Sequence, residues 1–173
     1  MKIKVYNFKK QIMSNVIPEM SYFFGENMKE YRDGIYIYSE PVDNFLWRRN
    51  LLLCCCIKLK FGEDVYNTIL TDSNFRKLPK IVQRALIEHE IGHIVNKDIE
   101  DLSESEANKL VIQRLFGFLP EMEVKADAYA ASVIGNSKMI EAFKFMVKNT
   151  NLPFNTKIEI IRRIFKLKKS ARV

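Results

Sequence analysis

The chain holds only two histidines, and both fall within the five residues His89-Glu90-Ile91-Gly92-His93. Two imidazoles four residues apart share a face on a helix, where residues i and i+4 lie one above the other. The flanking pattern supplies that helix: Ile81, Val82, Ala85, Leu86, His89 and His93 recur at three- and four-residue spacing after Pro79, a residue suited to open a first turn. Ala85 and Leu86, one turn earlier, turn both rings inward, where imidazoles need partners. The pattern is HExxH. Its geometry lets both rings reach one metal ion while Glu90 flanks it.

Zinc suits such a set, since it accepts imidazole nitrogen and, with three protein ligands, keeps one open position. Glu90 would then take a proton from water and deliver it to a leaving amine. With no histidine left, the third ligand is a carboxylate or a cysteine, and a carboxylate is preferred. Two segments share a spacing, Glu104-Ser-Glu-Ala107-Asn108 and Glu123-Val-Lys-Ala126-Asp127. Ser103 and Glu106 form a capping box, so the acids of the first segment have a local explanation. Glu123 also lies near a helix start, after Pro120, where an acid favours the macrodipole. Asp127 escapes that explanation. It stands one turn beyond Glu123, placed to accept a hydrogen bond from a ligand histidine. Ala126, Ala128, Ala130, Ala131 and Ser132 would let this helix approach the HEIGH helix closely. Glu123 is therefore the preferred third ligand and Glu104 the alternative.

Upstream of this helix the periodicity is two. Met1, Ile3 and Val5 alternate with lysines as in a short strand; Gly34–Ser39, Leu51–Phe61 and Val65–Thr71 also read as strands. The stretch from the first strand to about Lys29 reads as mostly helical, interrupted at Pro18. Downstream, helices are expected at about Ser103–Phe116, Pro120–Ile134, Lys138–Val147 and Thr156–Lys168. Strands followed by helices predict an α+β domain. A length of 173 residues suits a single domain, 1–173, large enough to bury about 70% of the surface of its unfolded chain.

The cysteines, Cys54, Cys55 and Cys56, are consecutive in an apolar run, so they fit a buried strand in a reducing compartment and not a disulfide framework. The N-terminus shows no apolar leader, and no apolar stretch approaches the roughly 18 residues that suggest a membrane span. A cytoplasmic, soluble protein is expected. The net charge of +7 attracts polyanions or acidic partners without naming one. The segment Thr156–Lys169 sets Ile158, Ile160, Ile161, Ile164, Phe165 and Leu167 against Lys157, Arg162, Arg163, Lys166, Lys168 and Lys169. Such a helix can bind nucleic acid, an acidic membrane or a partner, but the preferred reading is a surface helix with a solvated charged face. Trp47, beside Phe45, Arg48 and Arg49, reads as a core aromatic.

HEIGH followed by Glu123-Val-Lys-Ala-Asp127 resembles the gluzincin metallopeptidases, whose signature is HExxH plus a later E-x-x-A-D. The resemblance covers about Leu70 to Gly135, and the nearest families are soluble relatives of the HtpX and CAAX-prenyl endopeptidases and the ImmA/IrrE-like peptidases. It implies a zincin-like fold with His89, His93 and Glu123 as zinc ligands, Glu90 as general base and acid, and Asp127 as orienter of a histidine. It also implies that the strand near Val65–Thr71 pairs with an extended protein substrate. The chain departs from each family: HtpX-like enzymes are usually membrane-embedded, and ImmA/IrrE-like proteins favour Asn where this chain has Asp127. The expected function is a zinc-dependent endopeptidase. The alternatives are a zinc-stabilised module without turnover and a basic nucleic-acid-binding protein.

Overall fold

A computed structural model describes residues 3–7, 15–16, 28–39, 54–61, 64–98 and 119–170. The helix expected at Ser103–Phe116, the alternative ligand Glu104 with Asn108, and Trp47 lie outside these residues. The fold is α+β, strands first, in two compact units, Met1–Leu78 and Pro79–Val173.

The first unit is built on a mixed six-stranded sheet. Its strands are β1 (Ile3–Asn7), β2 (Asn15–Val16), β3 (Met28–Arg32), β4 (Ile35–Ser39), β5 (Cys54–Phe61) and β6 (Asp64–Thr71), in the order β2-β1-β5-β6-β4-β3. All neighbours are antiparallel except β4 and β6. Cys54, Cys55 and Cys56 are all buried on β5, which lies between β1 and β6 in the sheet. β3 and β4 form a hairpin through Asp33 and Gly34, both at positive φ, the conformation a two-residue turn of this hand requires.

Two expectations bear on this unit. Of the stretch up to Lys29 that reads as mostly helical, only residues 15–16 and 28–29 are described, and these belong to β2 and the start of β3; the rest of that expectation lies outside the described residues. β3 carries Lys29, Glu30 and Arg32, the charged composition by which an edge strand resists further pairing, and that same composition hid it from an apolar-alternation search. The expectation that fails concerns Val65–Thr71. Residues 67–71 of β6 pair with β4 on one side and with β5 on the other, so this stretch has no edge to offer an extended peptide. A short helix, α1 (Ser73–Lys77), ends the unit, with Asp72 Oδ1 accepting from the Phe75 amide at 2.7 Å as its N-cap.

Among the described residues the second unit is helical: α2 (Lys80–Val95), α3 (Glu121–Ile134), α4 (Asn136–Asn149) and α5 (Phe154–Ser170). Its buried apolar residues include Val82, Ala85 and Ile91 of α2, Ala126 and Ala130 of α3, Met139 and Phe143 of α4, and Ile160, Ile164 and Leu167 of α5. Pro79 stands at the N-cap of α2, where its missing amide costs nothing and its carbonyl accepts from Val82 and Gln83. The α2–α3 contact is close because Gly92 faces α3 without a side chain. A Cβ there would lie 2.7 Å from Ala126 Cα and 2.8 Å from its carbonyl oxygen, so backbone meets backbone. Of the small residues expected to line this seam, Ala126, Ala130 and Ala131 are buried, whereas Ala128 and Ser132 are exposed. The helical period allows only one stripe of them to face inward.

Among the described residues, no helix is long and apolar enough to cross a membrane.

Candidate metal centre

α2 brings His89 and His93 to one face, and α3 lays Glu123 across them. The two Nε2 atoms are 3.2 Å apart, with the rings nearly perpendicular at 82°. Glu123 Oε2 lies 3.2 Å from His89 Nε2 and 4.0 Å from His93 Nε2. The three ligand atoms fall within 4.8 Å of one another, and all three residues are buried. Donors held about 2.0 to 2.2 Å from a tetrahedral zinc stand about 3.3 to 3.6 Å from each other. The observed separations bracket that range, so the donor set fits a metal ion.

Both histidines are turned the right way for this. His89 Nδ1 meets Asp127 Oδ1 at 2.9 Å, and His93 Nδ1 meets Asp98 Oδ2, also at 2.9 Å. A carboxylate on Nδ1 fixes the tautomer and makes Nε2 the ring's candidate ligating atom. Asp127 comes from α3, one turn beyond Glu123, as the sequence spacing predicts. Asp98 reaches His93 by a local route. The helix stops at Asn96; the Lys97 amide donates to Ile94 O and the Asp98 amide to His93 O, with Lys97 at φ 58°. This is a Schellman stop with lysine at the left-handed position where glycine is usual. It folds the chain back so that Asp98 lies over the ring five residues before it. Glu90, next to His89, is buried as well.

The residue that sequence reasoning misplaced is Arg163. It was assigned to the solvated basic face of the C-terminal helix, but it points inward from α5 and is only 8% exposed. Its Nε donates to Asp127 Oδ2 at 2.7 Å and its Nη2 to Asp127 Oδ1, a two-pronged grip on one carboxylate. Nη1 lies 3.2 Å from Glu123 Oε2, Nη2 lies 3.3 Å from His89 Nε2, and the guanidinium carbon sits 4.5 Å from the centre of the Phe143 ring. A signal existed. Ile160, Ile164 and Leu167 form the buried stripe of α5, and Arg163 stands three residues after Ile160 and four before Leu167, so helical spacing puts it on that stripe. Asp98 left no comparable sign, because no apolar period predicts a left-handed lysine.

The charges explain one another. Burial alone disfavours the imidazolium of His89, and Arg163 opposes it too, yet hydrogen bonds to Asp127 and Glu123 outweigh both and push its pKa up to about 9. Burial would raise Asp127, but the neighbouring Arg163 and the His89 hydrogen bond hold its carboxyl below the usual range. Burial works against the Arg163 cation, and Asp127 and Glu123 more than restore it. With Asp127 and Glu123 negative and Arg163 positive, protonation of His89 makes the four charges sum to zero. A divalent ion would displace that proton.

Compared with protein-family models, with curated proteins and with solved structures, the chain finds no match.

Proposed function

We propose that the chain is a zinc-dependent metalloendopeptidase of gluzincin type, with a zincin-like arrangement of its helices, acting on protein or peptide substrates in the cytoplasm. The observation that carries this reading is the convergence of His89, His93 and Glu123 ligand atoms within 4.8 Å, beside the buried Glu90. Two imidazoles and one carboxylate suit zinc with a position left open. When bound, zinc supplies Lewis acidity towards water and a peptide carbonyl. The chain's own residues do the rest. Asp127 and Asp98 hold the two rings in the ligating tautomer, and Arg163 holds Asp127. Glu90 accepts a proton from water and passes it to the departing amine.

Elemental analysis of the chain purified without added metal tests the centre. One zinc per chain, lost with Glu123→Ala and kept with Glu104→Ala, is expected; a metal-free chain that cannot be loaded would remove the foundation of the proposal. The chemistry is then tested on a peptide library. Glu90→Gln should retain zinc and abolish cleavage, and full activity in that variant would sink the assigned mechanism.

A second reading is a zinc-stabilised module that does not turn over. What favours it is Arg163, whose guanidinium lies against His89 Nε2 and Glu123 Oε2, two of the three ligand atoms. Zinc content with no Glu90-dependent cleavage of any peptide would select this reading.

A further inference from the structure

The C-terminal helix has a second apolar stripe, and it faces outward. Phe154, Ile158, Ile161 and Phe165 follow one another at spacings of four, three and four, which puts them on one line along α5. This line is not the buried one of Ile160, Ile164 and Leu167. Phe154 is 75% exposed, Phe165 64% and Ile161 40%, with Ile158 half-buried. Isolated exposed apolar residues are ordinary in any protein; an aligned row of them on one helix is not.

Basic residues border this row on both sides. By helical angle, Lys157 and Lys168 fall on one flank and Arg162, Lys166 and Lys169 on the other, and all but the half-buried Lys157 are exposed. Lys168 Nζ leans over the Phe165 ring at 5.8 Å. The one carboxylate of the helix, Glu159, is directed towards Arg163, its Oε1 lying 3.9 Å from Nη1. The outer half of α5 therefore presents Phe and Ile between two rows of cations, with no acid among them.

We infer that this face of α5 is a docking surface for an anionic phospholipid bilayer, on which the helix lies in the plane of the interface. The charge rows complement acidic headgroups, and the Phe and Ile side chains enter the acyl boundary beneath them, which is how interfacial helices bind. A nucleic acid would satisfy the cations but leave the two isoleucines without a partner. A stable protein interface buries about 800 Å² on each side, more than a single helical stripe of four side chains presents. The inference is independent of the metal centre, since none of the outward residues touches it.

The experiment is co-sedimentation of the full chain with vesicles of phosphatidylcholine alone and with about a third phosphatidylserine, at low and at high salt. Binding should require phosphatidylserine and weaken steeply with salt. It should fall at least tenfold in Phe154→Ser/Phe165→Ser, and to a similar degree in Lys166→Glu/Lys169→Glu. Both pairs are exposed, so far-ultraviolet circular dichroism should be unchanged, and each double variant checks the other should one fail to fold. Absence of binding to anionic vesicles at low salt would overturn the inference, as would binding indifferent to Phe154→Ser/Phe165→Ser. A chain that ignores vesicles but dimerises, and becomes monomeric in that variant, would overturn it in favour of a second copy of the chain; nucleic-acid binding that survives the variant would overturn it in favour of a polyanion.

Discussion

His89 and His93 sit one turn apart on the same helix, and each gives its Nδ1 to an aspartate at 2.9 Å, yet the two anchors are of different kinds. Asp98 belongs to the cap of α2 itself, five residues after the ring it holds. Asp127 comes from another helix, and Arg163 from a third helix grips it in turn. One anchor is local and forms when the helix stops; the other exists only once α2, α3 and α5 are packed together. Two candidate ligands with the same chemistry thus depend on different levels of structure, and they should fail differently.

The largest effect is expected on the packed side. Arg163→Met strips Asp127 and Glu123 of their shared guanidinium, leaving two buried carboxylates to one imidazolium, and breaking a buried pair in this way costs about 3 to 5 kcal/mol, a large share of the stability of an ordinary domain. Denaturant unfolding of the metal-free chain measures it. Replacing both partners, Arg163→Met/Asp127→Leu, should cost less than Arg163→Met alone, because no orphaned charge remains. The local side predicts a different signature. Asp98→Asn should weaken metal affinity about 10- to 100-fold, as loss of a partner behind a ligand does, while leaving the unfolding midpoint of the metal-free chain nearly unchanged. If both variants destabilised the chain equally, the contrast between the anchors would be lost.

pH sharpens the comparison from the packed side. The folded pKa of His89 is about 9, above the ordinary 6.5, so the stability its imidazolium contributes is complete below about 6.5 and is lost as pH rises through 9. The metal-free chain should lose stability across that window. A ring proton of His89 should titrate with a midpoint near 9 by NMR, and metal should abolish that titration by taking the proton's place. The smallest effect is at the stop of α2. Lys97→Gly relieves a left-handed lysine and should stabilise the chain by about 1 kcal/mol in thermal or denaturant unfolding, leaving the Asp98–His93 contact in place.

What could be read in the sequence follows the same division between local and packed. The HEIGH helix, the Glu123 and Asp127 spacing and most strands announce themselves through periods of 3.6 and 2, which are properties of single segments. Sheet order is not such a property. Nothing in Val65–Thr71 indicates that β4 would lie parallel against it and close the edge that the resemblance to peptidases had assigned to a substrate. Arg163 was lost for a related reason: among six basic residues on one helix, only its place on the buried stripe distinguishes it, and charge alone suggests the opposite. Asp98 depends on a lysine adopting a conformation that its own chemistry disfavours.

The contact of Gly92 with the backbone of Ala126 gives the candidate metal centre a one-sided tolerance. Where helices are separated by interlocking side chains, substitution can move them nearer or farther, and the spacing can drift about a mean. Here the main chains already touch, so any larger residue at position 92 can only drive α2 and α3 apart, and none can bring them closer. The span between the histidines and Glu123 therefore has a floor set by van der Waals contact of the two main chains, and variation over time can only widen it.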